Sequence, residues 1–175
     1  MSNLVLNEPV MIRICNSYSV EKNVLSHHVD VVEEMTLALE HPRQSFESQV
    51  WFLEQRMDTK TYFVRAYGKV GKGHCLTTLQ PDYTLQSVGL EPVDYKRQEQ
   101  HWRIHKNSRG SFRLNNLLYQ DKYLAKVPGS RFDDDLDIAM LSPPYEIIEF
   151  GYAILDWEIK PLKHILNDKR DYRFS

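Results

Sequence analysis

Long apolar runs are missing from this 175-residue chain. None approaches the roughly 20 residues that a helix needs to cross a bilayer, so no membrane insertion is expected. The first nine residues lack a basic segment followed by an apolar one, so they do not read as an intact signal peptide. Two compartments stay open: the cytoplasm, or the exterior after removal of a leader. Cysteine is scarce. Cys15 and Cys75 are the only two, which excludes a disulfide-dense secreted scaffold and leaves a single bridge as an open alternative. An excess of one charge is also missing. A net charge of −2, with Lys and Arg dispersed and no aromatic–basic stripe, gives no footprint for nucleic acid.

What is present is ordinary globular composition in one domain's length, 42% hydrophobic and 26% charged, enough to build a real core. The organisation shows in a repeat. Gln100-His101-Trp102-Arg103-Ile104 is followed by Gly110-Ser-Phe-Arg-Leu-Asn-Asn116 and then Tyr123-Leu124. The same order occurs upstream as Gln49-Val50-Trp51-Phe52-Leu53, Tyr62-Phe-Val-Arg65 and Cys75-Leu76. A third unit closes at Leu155-Asp156-Trp157-Glu158-Ile159, where Leu replaces Gln. Trp51 and Trp102 stand 51 residues apart, Trp102 and Trp157 55. Leu25 precedes Trp51 by 26 residues, Leu76 precedes Trp102 by 26, and Leu124 precedes Trp157 by 33. The seven extra residues fall around Phe132–Asp137 and Pro143–Gly151.

Local signals fill in the units. Residues 9–16, Val24-Leu25, 75–79 and 85–90 read as strands. Residues 30–40 have helical propensity, but the repeat demands a loop and then a strand at Met35–Leu39. Turns are expected at 41–45, 68–73 and 81–82, with a polar loop at 94–99. Strands are expected to begin at Gln49 and Gln100. Residues 1–160 form one domain on this reading, and 161–175 a charged, partly helical tail. Short strands and turns in three units of about fifty residues predict a threefold all-β barrel that closes most of its edges.

Three Trp-containing units, two with Gln-x-Trp intact, resemble the ricin B-type β-trefoil over about residues 10–160. The resemblance implies an all-β fold, a β-trefoil with three repeats of about fifty residues. Another all-β sandwich or barrel is the competitor. Trp51, Trp102 and Trp157 are most simply core, and Gln49 and Gln100 most simply satisfy buried backbone groups.

The family's sugar pocket uses an Asp just after the Cys-Leu-like pair, an aromatic ten residues before the Gln, and an Asn immediately before it. Here those positions are Ser26, Leu39 and Ser48; Thr77, Leu90 and Glu99; and Ala125, about Leu141, and Ile154. The usual triad is therefore absent by residue identity. Asp82, Tyr83 and Tyr95 offer a chemically adequate replacement, with rings to stack on a sugar and an acceptor for its hydroxyls. Phe132, Asp133 and Tyr145, in the long third-unit insertion, are the rival site, suited to a protein partner. The polar pattern is also distantly similar to the cell-binding subunits of cytolethal distending toxins.

Catalytic and metal readings are weaker. His74 and Cys75 are neighbours on a strand and point to opposite faces, a poor base–nucleophile pair. Cys75 also fills a repeat position held elsewhere by Val24 and Tyr123, which marks it as core. Cys15 is not equivalent to it, so the two are expected to stay unbonded. His27-His28 with Asp30 and Glu33-Glu34 reads as a solvated loop rather than a metal site, and Asp133-Asp134-Asp135 lacks the Gly and Glu positions of a calcium loop. The expectation is a non-catalytic recognition module without cofactor or metal, binding carbohydrate or a glycan-bearing partner. The alternative is a protein–protein trefoil, such as a toxin-assembly subunit or a protease inhibitor, without sugar binding.

Overall fold

The computed structural model describes residues 4, 6–15, 23–29, 34–41, 47–68, 73–81, 86–127, 138–141, 147–148, 151–152 and 154–167. Among them run fourteen strands: Pro9–Ile14 (β1), Val24–Val29 (β2), Met35–Glu40 (β3), Trp51–Arg56 (β4), Thr61–Ala66 (β5), His74–Pro81 (β6), Gln86–Pro92 (β7), Trp102–Lys106 (β8), Phe112–Asn116 (β9), Tyr123–Lys126 (β10), Ile138–Leu141 (β11), Ile147–Ile148 (β12), Gly151–Tyr152 (β13) and Trp157–Pro161 (β14). A short helix, Leu162–Asn167 (α1), follows β14.

Six strands close on themselves. β1 pairs with β4, β4 with β5, β5 with β8, β8 with β9, β9 with β14, and β14 returns to β1, every pair antiparallel. A closed ring leaves no barrel edge to pair with another chain. Three hairpins, β2–β3, β6–β7 and β10–β11, continue from the barrel through Arg13↔Val24, Arg65↔Cys75 and Asn115↔Tyr123. Val24, Cys75 and Tyr123 are thus equivalent, as the repeat requires. A six-stranded barrel with three hairpins in threefold repetition is the β-trefoil. β12 and β13 form a separate two-stranded ribbon within the third-unit insertion.

The barrel interior follows from period-two alternation. In β14, Trp157, Ile159 and Pro161 are buried and the residues between them are not. In β4, Trp51 and Leu53 face in while Phe52 and Glu54 face out. All three tryptophans are fully buried in one core cluster with Ile12, Leu25, Leu76 and Leu124. Each indole N–H donates to a backbone carbonyl at 2.9 Å: Trp51 to Leu25, Trp102 to Leu76, Trp157 to Leu124. Those are the Leu–Trp pairs that the spacing of 26, 26 and 33 residues marked out. Burying an indole contributes a few kcal/mol through its area, and the carbonyl removes the penalty of an unpaired N–H. The third unit keeps the contact across its longer connection.

Some expectations need correction. Gln49 and Gln100 do not begin strands; each ends a single 3-10 turn, Glu47–Gln49 and Gln98–Gln100, before β4 and β8. The turn lets the side chain reach back to the preceding hairpin. Gln49 Nε2 donates to the His41 carbonyl at 2.7 Å and the Ser26 hydroxyl at 3.3 Å. Gln100 Nε2 donates to the Pro92 carbonyl at 2.9 Å and the Thr77 hydroxyl at 3.2 Å. His27 and His28 lie in β2 rather than in a solvated loop. The His27 ring is buried edge-on against Trp51, 4.9 Å between centroids, with Nε2 3.0 Å from the Val50 carbonyl. Met35–Glu40 is a strand, as the repeat demanded over local propensity.

Candidate functional site

Two of the family's three sugar-triad positions are closed in every repeat, while the third, Ser48, Glu99 and Ile154, is not buried. Ser26, Thr77 and Ala125 are fully buried. The Ser26 and Thr77 hydroxyls donate to the Val24 and Cys75 carbonyls while accepting from Gln49 and Gln100. Opposite Leu25, Leu76 and Leu124 in the cap hairpins stand Leu39, Leu90 and Met140, all buried. The ladder puts Met140 at the third position, one residue before the Leu141 read from the sequence. These groups are consumed in holding the fold.

Of the sequence-predicted site residues, Asp82, Tyr83, Phe132, Asp133 and Tyr145 lie outside the described residues. Tyr95 is described and is 45% exposed. Its backbone is fixed from both sides: the Asp94 N–H donates to Gln100 Oε1 at 2.8 Å, and His101 Nε2 lies 3.1 Å from the Tyr95 carbonyl. The same Gln and its neighbour therefore anchor the loop as well as the hairpin. The Tyr95 hydroxyl donates to Glu54 Oε1 at 3.0 Å, the Arg56 guanidinium lies 5.3 Å over the ring, and Phe63 meets it edge-on at 5.1 Å. The Glu54 hydrogen bond holds the phenol above its ordinary pKa. Arg56 in turn holds the exposed Asp58 carboxyl down at about 2. Tyr95 thus stands among Glu54, Arg56 and Phe63, none of which was singled out for the site from the sequence.

Beyond Glu54, the network continues. Arg65 Nη1 donates to Glu54 Oε2 at 2.8 Å and also lines an open cleft of about 500 Å³ with Glu47, Phe52, Ala66, Tyr67, Gly68 and Gly73. Phe52 and Arg65 are cross-strand partners on the outer face of β4 and β5. The Tyr67 N–H donates to the Val50 carbonyl at 3.0 Å, which ties the end of β5 to the start of β4. Its ring is 46% exposed. Gly68 has φ +105°, and a Cβ there would lie 2.4 Å from Glu47 Cγ and 2.7 Å from its Oε1. Glycine therefore lets the Glu47 side chain lie flat against the turn at the rim of the cleft. The signal for this cleft was Phe52, an apolar ring one position out of phase with the buried Trp51 and Leu53.

The chemistry of nucleophilic catalysis is not assembled at Cys75. Its sulfur is buried, and burial pushes the thiol up to about 12, so a thiolate is not accessible at neutral pH. Cys15 and Cys75 are not bonded to each other. Among the described residues no three His, Cys, Asp or Glu side chains are placed to hold a metal ion, and no helix is long and apolar enough to cross a membrane.

No family model and no curated protein matches the sequence. Solved structures do match in fold. A mosquitocidal holotoxin superposes with a TM-score of 0.66 at 15% identity over 90% of this chain, which spans only 18% of that one. The BEL β-trefoil gives 0.64 at 13% identity, covering 92% of this chain and 97% of that one. The ricin B-like lectin of Macrolepiota procera, solved in complex with lactose, gives 0.57 at 13% identity, covering 91% and 99%. The Haemophilus ducreyi cytolethal distending toxin gives 0.59 at 10% identity, covering 92% and 89%. The chain shares its fold with ricin B-like β-trefoil lectins and with toxin chains, as the repeat implied.

Proposed function

We propose that the protein is a non-catalytic recognition module of the ricin B-like kind, binding carbohydrate or a glycan-bearing partner. One observation carries the reading. The Ser26 and Thr77 hydroxyls are turned inward to hold the fold, while the exposed Tyr95 ring stands beside the half-buried Glu54 carboxylate and the Arg56 and Arg65 guanidinium groups on the outside of one repeat. A stacking ring beside acceptors and donors is the set that distinguishes a sugar's apolar face from its hydroxyls. The lactose complex of a lectin with this fold supports the same reading. Tyr95, with Asp82 and Tyr83 on the neighbouring stretch of the second unit, forms the proposed surface; Phe132, Asp133 and Tyr145 form its rival in the third-unit insertion.

The intact protein on a glycan array tests this. Saturable binding to a defined set of glycans, competed by the free saccharide, is the expected result. Binding to none of them, with the native near-ultraviolet circular dichroism intact, would overturn the carbohydrate reading.

A further inference from the structure

We infer that the outer face of β8 and β9 carries a seat for a carboxylate, centred on Arg103, and that the saccharide it takes is an acidic one, a sialic or uronic acid. The inference rests on the recognition reading above. It names a ligand class, and a place apart from Tyr95 and from the trefoil positions.

Arg103 follows the fully buried Trp102, so strand alternation turns it outward. Its cross-strand partner is Asn115 in β9. The loop between β9 and β10 folds back over this face. The Leu118 N–H donates to Asn116 Oδ1 at 2.9 Å, and the Lys122 N–H donates to the Tyr119 carbonyl at 3.0 Å, closing a turn that carries Gln120. A chain of hydrogen bonds then joins sheet and loop. His105 Nε2 donates to Asn115 Oδ1 at 2.8 Å, Asn115 Nδ2 to the Gln120 carbonyl at 2.9 Å, and Arg103 Nη1 to Gln120 Oε1 at 3.1 Å. Asn115 is buried beneath the loop, so the array is part of the fold rather than a chance surface contact.

What sets Arg103 apart is its partner. Arg13, Arg56, Arg65, Arg97 and Arg113 each lie beside a carboxylate. Among the described residues, Arg103 meets only the neutral amide of Gln120. The whole array lies within residues 102–122, all of which are described. Asp121, exposed in the same turn, has an interaction of its own. The guanidinium is therefore held in place without being neutralised, and an incoming anion meets donors that are already oriented.

The free edge decides the ligand's chemistry. Nη1 is engaged, which leaves Nε–H and Nη2–H side by side, two parallel donors matched to the two oxygens of a carboxylate. Gln120 keeps its Nε2 donors, and neutral His105, whose Nε2 carries the proton in its bond to Asn115, keeps Nδ1 as an acceptor. Donor and acceptor together suit the hydroxyls that flank the acid group on a sugar ring.

The experiment titrates the full chain with the methyl glycosides of N-acetylneuraminic acid, glucuronic acid and galactose, alongside the glycan array. Arginine Nε–H signals in nitrogen-correlated NMR report the site directly. Variants are Arg103→Lys, Arg103→Gln, Gln120→Glu and Arg109→Gln, each checked for native circular dichroism. Arg109 is exposed at the turn between β8 and β9 and serves as the charge control. The expected result is that at least one acidic glycoside binds and moves the Arg103 Nε–H signal, while the galactoside leaves it in place. Arg103→Gln should weaken acidic binding about tenfold or more, Arg103→Lys, which keeps the charge but loses the fork, should not restore it, and Arg109→Gln should stay within about threefold. Gln120→Glu is the sharper test. It supplies from within the chain the carboxylate that the other arginines have, so it should fold like wild type and yet lose the acidic ligand. Acidic binding that survives both Arg103→Gln and Gln120→Glu overturns the seat, as does an equal loss in Arg109→Gln, which would mean general charge attraction. If neutral glycans bind and acidic ones do not, the seat is overturned while the recognition reading stands. If no saccharide binds in titration or on the array, the recognition reading itself falls, and the seat with it.

Discussion

Leu155 packs in one apolar cluster with Ala125, at the two positions where the earlier repeats pair Gln49 with Ser26 and Gln100 with Thr77 through hydrogen bonds. The third repeat has exchanged both members of the pair together. An apolar pair needs no partners, whereas a lone Gln or a lone hydroxyl there would be buried and under-satisfied. The backbone compensates: Ile154 and Lys126 exchange two hydrogen bonds of 2.9 Å, bridging the strands that the Gln side chain bridges elsewhere.

That exchange makes a measurable prediction. Gln100→Leu alone should destabilise the fold by about 1–3 kcal/mol, because the Pro92 carbonyl and the Asp94 N–H lose their partner. Adding Thr77→Ala should cost less in that background than in the wild type, giving a coupling on the order of 1 kcal/mol in a double-mutant cycle. Strict additivity in denaturant unfolding would mean the two positions are not paired in solution.

Trp102→Ala should cost about 3–5 kcal/mol, as deletion of a fully buried large ring does. Trp102→Phe, which keeps most of the apolar volume, removes the donor to the Leu76 carbonyl and should cost less. Thermal melts distinguish the two contributions. A Trp102→Ala protein that melts within a few degrees of wild type would show that the ring is not core.

How far the sequence carried the reading depends on distance along the chain. The 26-residue spacing from Leu25 to Trp51 and from Leu76 to Trp102 was legible because it is a repeat, and it turned out to be a hydrogen bond. The strand at Met35–Glu40 was legible for the same reason, against its helical propensity. The 3-10 turns at Gln49 and Gln100 were not, because a turn of three residues leaves no periodicity. The burial of His27 was hidden because two adjacent histidines make a strand of six look polar, whereas its first four residues are all buried. The cleft was hidden for a different reason: Glu47 and Gly68 meet only through the β4–β5 hairpin, and no local pattern pairs them.

His27 gives the fold an acid-sensitive element. Burial pushes its ring below the ordinary value of 6.5, with the Val50 carbonyl and Glu47 acting weakly the other way. The unfolded chain therefore binds the proton more readily than the native one. Stability is full above the ordinary histidine range, starts to fall as pH drops below it, and has lost this contribution once pH is below the folded value. In melting temperature against pH, wild type should show a decline beginning between about pH 7 and 6. His27→Gln, which can still donate to the Val50 carbonyl, should flatten that decline. An unchanged acid limb would assign the proton to another group.

The cysteines should separate by reactivity. Cys15 is half-buried and should react with an aromatic disulfide reagent in the native protein, whereas Cys75, buried with its thiol raised to about 12, should react only on unfolding. Denaturant without reductant should release two thiols per chain. A Cys75 that titrates natively at the rate of Cys15 would show that β6 opens locally.

Gly68 and Gly73 offer a controlled comparison, since both have positive φ, +105° and +90°, but different neighbours. Alanine at either position should cost about 1–2 kcal/mol for the backbone conformation alone. A Cβ on Gly73 meets nothing within 4 Å, so the backbone cost is all that Gly73→Ala should show. A Cβ on Gly68 would lie 2.4 Å from Glu47 Cγ, too close for contact, so the Glu47 side chain must give up its place. Gly68→Ala should therefore melt below Gly73→Ala. Only Gly68→Ala should lose the nuclear Overhauser contact between the Glu47 side chain and the α-proton of residue 68. A Gly68→Ala protein as stable as Gly73→Ala would mean that Glu47 moves aside at no cost. The double variant Glu47→Ala with Gly68→Ala should recover the difference, because removing the side chain beyond Cβ leaves the added methyl nothing to strike.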